Sequence, residues 1–132
     1  MAWMSILGLD WKGGRFAHPL DIVDVPHKPG VFKLHARRGS GEWEVFYVGQ
    51  AQNLYSILLA YLGTIVEGDP QAAGINACAK ARVEADEVAY SYAVVEDETE
   101  RQGCLRSLYE YFRPVCHSPE QLPAVDNVAC NP

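Results

Sequence analysis

The stretch from residue 30 to residue 63 constrains this chain most. Residues 30–36 (GVFKLHA) and 43–48 (WEVFYV) are rich in β-branched and aromatic side chains with partial alternation, and the RRGSGE between them carries two glycines. This pattern predicts a β-hairpin with a longer loop. After a break at Gly49-Gln50-Ala51-Gln52, Asn53 stands as an N-cap ahead of LYSILLAYLG, which predicts a short helix closing on Gly63. Ser56 is the one polar residue between Leu54 and Leu62. A surface helix needs a single apolar stripe, whereas a helix apolar on nearly every side has to be covered on nearly every side. The candidates for the cover are the N-terminal 25 residues or the C-terminal tail, a partner, a second copy, or a small apolar ligand.

Further signals continue the pattern. Asp69 as cap and Pro70 at the first helical position open an Ala-rich stretch that predicts a helix to about residue 86. Residues 88–95 (VAYSYAVV) predict a third strand. EDETERQGCLRSLYEYFR predicts a last helix with Cys104, Leu105, Leu108, Tyr109 and Phe112 on one face, ended by Pro114. The run of acids at its start suits the positive end of a helix dipole. The apolar runs at residues 5–9 and 20–25 are candidates for an added edge strand, and residues 116–132 predict an extended tail. At 132 residues this is one domain's worth of chain. It divides into an N-terminal extension packing on the body (1–24), the body (25–117) and the tail (118–132). The fold class expected is α/β (α+β), a small, mainly antiparallel three-stranded sheet flanked by helices.

Charge narrows the function. Eleven basic residues against seventeen acidic ones give a net charge of −6, with +1 on residues 1–50 and −7 on residues 51–132. Nonspecific affinity for phosphate backbones rests on basic side chains, so this balance disfavours nucleic acid as a partner. The apolar start lacks a basic leader and is short for a secretory core, which predicts a cytoplasmic protein. No run approaches the roughly 20 apolar residues of a membrane helix, so no membrane partner is expected. Cys78, Cys104, Cys116 and Cys130 are spaced by 26, 12 and 14 positions without a CxxC, which predicts buried reduced thiols rather than a zinc site. His27, His35 and His117 have no ligand spacing and are expected as solitary histidines. Trp43, Tyr90, Tyr92, Tyr109 and Tyr111 are expected in the core rather than as stacking platforms.

Three strings carry a resemblance: Val25-Pro26-His27-Lys28-Pro29-Gly30-Val31-Phe32, Phe46-Tyr47-Val48-Gly49-Gln50-Ala51-Gln52-Asn53-Leu54, and Glu98-Thr99-Glu100 leading to Arg113-Pro114. Together, over residues 25–117, they resemble the GIY-YIG nuclease family. The resemblance implies phosphodiester hydrolysis with a divalent metal, two tyrosines, an arginine on the first helix, a metal-holding glutamate on the last helix and an asparagine after it. A carboxylate would hold the cation, an arginine would stabilise charge building on phosphate, and a tyrosine would help generate the nucleophile. These roles fall here on Phe32, Tyr47, Ile57, Leu105 and His117, of which Tyr47 alone matches. Phe32 lacks the hydroxyl, Ile57 offers no charge, and Leu105 cannot ligate a hard cation. Glu100 and Glu110 are each about 140° around the helix from Leu105 and replace it poorly.

The expectation is therefore a catalytically inactive GIY-YIG-like domain without a cofactor. Its former catalytic face, with Phe32, Tyr47, Ile57, Tyr61 and Leu105, would bind a protein partner or a second copy as a dimer. The alternative is a divergent Mg-dependent DNA endonuclease with a relocated site, drawing on Glu100 or Glu110 and on Arg37, Arg38, Arg101 or Arg106.

Overall fold

A computed structural model describes residues 5–67, 87–114, 123–125 and 127–132. Its elements are β1 (Ser5–Leu7), β2 (Lys12–Arg15), a 3-10 helix (Pro19–Ile22), β3 (Gly30–Arg37), β4 (Glu44–Ala51), α1 (Leu54–Glu67), β5 (Glu87–Val94), α2 (Glu98–Phe112) and β6 (Val128–Cys130). The helix expected from Asp69, together with Cys78, Cys116 and His117, lies outside the described residues.

The mixed α+β class is as expected, but the main sheet has four strands rather than three, in the order β2-β5-β3-β4, all antiparallel. The fourth strand is not one of the apolar runs. It is the exposed KGGR of β2, which docks through its backbone on β5. The run at residues 20–25 instead holds part of the 3-10 helix, and the run at 5–9 holds β1, which pairs in parallel with β6 as a second, two-stranded sheet. The N-terminal extension therefore supplies strands to both sheets instead of only packing on the body.

Period-two alternation makes β3 two-faced. Phe32, Leu34 and Ala36 enter one core with Phe16, Ile22, Val25, Phe46, Leu54, Leu58, Tyr61, Leu62, Tyr90 and Tyr92. Val31 enters a second core with Val48, Ala93, Val95, Cys104, Leu105, Leu108 and Cys130. α1 covers the first face and α2 with β6 covers the second.

Asn53 caps α1 as expected, its Oδ1 accepting from Ser56 N–H at 3.1 Å, and Leu54 N–H donates to Lys28 O at 3.0 Å. The helix does not close on Gly63 but runs through it to Glu67, since a lone internal glycine costs only about 1 kcal/mol. Asp97 caps α2 by accepting from Glu100 N–H at 2.9 Å, with Glu98 and Glu100 in the first turn. Arg113 closes that helix in the left-handed region, φ 46°.

Two expectations about side chains are corrected. Tyr90 and Tyr92 are buried, but Trp43 is 44% exposed on the approach to β4 and Tyr111 is 68% exposed on the outer side of α2. Cys104 and Cys130 are not reduced thiols: they form a disulfide that ties β6 to α2. Spacing along the chain gave no hint of it, because the pairing depends on β6 returning to α2.

Candidate functional site

The α1 face collects most of the residues that the sequence singles out. Phe32 points to α1 by strand alternation. Tyr47 reaches the same side by alternation along β4, opposite Leu34, and beyond that pair His35 meets Val45, leaving Phe46 without an opposite residue. Such a bulge re-aims a side chain, and both Phe46 and Tyr47 contribute to the α1-side core. Gly49 sits opposite Phe32 in β4, and a Cβ there would come within 2.5 Å of Phe32 Cζ. The strand thus continues through what reads in sequence as a break, because only glycine leaves room for the ring.

On this platform Phe32, Tyr47 and Tyr61 form a group of three rings. Centroids are 6.1 Å apart for Phe32–Tyr47, 5.5 Å for Phe32–Tyr61 and 5.5 Å for Tyr47–Tyr61. The buried Tyr61 hydroxyl donates to Tyr47 Oη at 3.1 Å. Burial, reinforced by the neighbouring Tyr47, pushes the Tyr61 phenol well above its ordinary pKa. It stays protonated at neutral pH and cannot serve there as a base. Ile57 packs half-buried beside this core.

Leu105 is not part of this group. It lies in the second core, with Val31 and Val48, on the opposite face of the sheet. The expected single face of Phe32, Tyr47, Ile57, Tyr61 and Leu105 is therefore four residues on one side and one on the other. Sequence counting from Pro114 locates Leu105 along its helix but not the side of the sheet on which that helix lies.

The cover expected over α1 is incomplete. Phe16, Ile22 and Val25 of the N-terminal segment pack against its buried stripe, Leu54, Leu58, Tyr61 and Leu62. Tyr55 and Ile57 are half-buried and Leu59 is 41% exposed. Leu20 and Val23, in and just after the adjoining 3-10 helix, are exposed as well.

Most of the cations considered for a relocated phosphate site are engaged elsewhere. Arg37 pairs with Glu87. Arg101, 3% exposed, donates from Nη1 to Val95 O at 3.1 Å and Glu96 O at 3.3 Å, securing the end of β5. Arg106 bonds Glu110 at 3.2 Å and Pro123 O at 2.9 Å. Arg38 is exposed in the hairpin loop. Among the described residues no group of three or more His, Cys, Asp or Glu side chains comes together as a set able to hold a metal ion. His27 is exposed with Nδ1 3.3 Å from Asn53 Nδ2 and its ring 4.6 Å from Tyr55, while His35 is held in the sheet far from that turn.

One charged residue escaped the sequence reading. Lys33, in the middle of β3, is 6% exposed, with Nζ 4.0 Å over the Trp11 ring, 5.3 Å over Phe112 and bonded to Pro132 O. A lysine inside an otherwise apolar alternating strand was the available signal. No helix among the described residues is long and apolar enough to cross a membrane. No protein-family model matches this sequence, and no curated protein or solved structure matches it.

Proposed function

We propose that this chain is a non-catalytic, GIY-YIG-like domain that acts as a protein-interaction or assembly module through the outer side of α1. The observation that carries this reading is the Phe32–Tyr47–Tyr61 ring group. Where the resemblance implies a phosphate-handling site, the one matching residue, Tyr47, is bonded to the phenol of Tyr61, and Phe32 and Ile57 beside it bring no charge. A phosphoryl transition state needs cationic or metal partners for its developing charge, and rings with aliphatic neighbours supply none. The half-buried Ile57 and exposed Leu59, with Leu20 and Val23 nearby, supply apolar area of the kind that interfaces cover.

Leu59 is the informative position, because it is exposed and its replacement spares the core. Leu59→Asp is expected to abolish self-association in sedimentation, or retention of a bound protein partner, while leaving the unfolding midpoint unchanged. An unaltered assembly in Leu59→Asp overturns the reading. So does Mg- or Mn-dependent DNA cleavage by the wild type that is lost in Tyr47→Phe. The Cys104–Cys130 disulfide weighs against the cytoplasmic placement expected from sequence, since cystines persist mainly in oxidising compartments.

A further inference from the structure

A cleft of about 720 Å³ opens on the α2 face of the central sheet, the face opposite the ring group. The register explains how it forms. Arg15 pairs with Ala89 and Ala89 with His35 in one row, and Gly13 pairs with Ser91 in the next, so small residues separate the polar ones. His35 Nε2 lies 3.0 Å from Ser91 Oγ. Trp11 and Trp43 also line the cleft.

Three properties point to one class of occupant. First, both indoles are pinned before anything binds. Lys33 Nζ sits 4.0 Å over Trp11, whose Nε1 donates to Asn131 O at 2.7 Å, and Arg37 sits 4.6 Å over Trp43. Aromatic walls already held in place lose little freedom on binding a flat ring. Second, the charge here runs against that of the chain. Lys12 and Arg15 line the cleft, Lys33 and Arg37 lie over its tryptophans, and the acidic residue in the lining, Glu87, is paired with Arg37. Arg15 is exposed and forms no ion pair among the described residues. Third, the volume falls in the range of small-molecule sites, roughly 300–1,000 Å³.

We propose that this cleft binds a small planar aromatic molecule carrying one anionic group, with its ring against Trp11 and Trp43, its anion at Arg15 and its polar edge at the His35–Ser91 pair. Carboxylate and phosphate monoester share this chemistry. The site is independent of the α1-side interface, so either reading can fail without the other.

The test is titration of the 15N-labelled full chain with indole-3-acetate, with adenosine 5′-monophosphate and with neutral indole, following the tryptophan Nε1–H signals. At least one anion is expected to saturate with a Kd below about 1 mM and to bind about tenfold more tightly than indole. Saturation by the first alone identifies a carboxylate ligand, and by the second alone a phosphate ester. Trp43→Ala, at a site outside the buried core, is expected to weaken that binding about tenfold with an unchanged thermal midpoint, and Arg15→Gln to reduce the anion to the affinity of indole. The proposal is overturned if neither anion saturates, if indole binds as well as the anions, or if folded Trp43→Ala retains wild-type affinity.

Discussion

On its α1 face the central sheet is covered by rings, whereas its α2 face is covered in part by α2, β1 and β6 and in part opens as the cleft. Phe16, Phe32, Phe46, Tyr61, Tyr90 and Tyr92 fill the first core, whereas Val31, Val48, Ala93 and Val95 make the sheet's share of the second. Aromatic residues bury 150–250 Å² each, so the first face is stabilised chiefly by packing. The second, built on smaller side chains, is completed by segments brought from far along the chain. β1 and β6 pair in parallel, and Asn131 accepts from Leu9 N–H at 2.5 Å and donates to Leu9 O at 3.1 Å. Cys130 is joined to Cys104. Closing contacts between distant segments costs loop entropy, and a covalent link removes much of that cost from the folding equilibrium. The two faces should therefore yield to different treatments.

The largest effect is expected from the disulfide. Its 26-residue separation corresponds to about 3 kcal/mol of stabilisation through the unfolded chain. Cys104→Ser with Cys130→Ser should lower urea-unfolding stability by about that amount, and reductant should lower that of the wild type at least as much. Amide exchange should show where the loss falls, with β6 and β1 opening before the β3–β4 hairpin. Equal loss of protection on both faces would erase the contrast.

Acid should also act on the α2 face. Burial, then the charge of Lys33, pushes the His35 pKa down from 6.5 to about 4. The unfolded chain binds this proton more readily than the folded one between those two values. Stability from neutral His35 is therefore full above pH 6.5 and is lost as pH falls through 4, a change of about 3 kcal/mol. His35→Gln keeps a polar partner for Ser91 without a titration, and should flatten that part of the stability–pH curve. An unchanged slope would mean that carboxylates elsewhere set the acid response.

What sequence alone made legible was local. The hairpin, the cap at Asn53 and the apolar face of α2 all follow from residues within a turn or two of one another. What it hid was set at a distance. β2 carries no strand propensity in KGGR and exists because β5 offers it a backbone edge. Gly49 reads as a break until Phe32 is seen opposite it. Tyr47 and Leu105 look like members of one site until alternation along β4 places Tyr47 on the α1 side and the fold sends Leu105 to the other. Trp43 reads as core by type, yet it lies on the cleft wall because Arg37 holds it there.

Alkali supplies the counterpart to acid, and the smallest of the expected effects. Tyr61 and Tyr90, both on the α1 face, have phenols pushed above their ordinary pKa chiefly by burial, and Tyr90 donates to Asp21 O at 2.7 Å. A phenol whose folded pKa is raised stabilises the fold below its unfolded pKa of about 10, and that stability drains away as pH climbs further. Tyr61→Phe keeps the ring and deletes the donor to Tyr47, so at neutral pH it should cost about 1 kcal/mol in urea unfolding. Above pH 10 the variant should lose stability less steeply than the wild type, the remaining slope coming from Tyr90. If the alkaline limb is the same in both, Tyr61 ionises freely in the folded state. The ring group would then be open to water, and the contrast between a sealed aromatic face and a tethered aliphatic one would not stand.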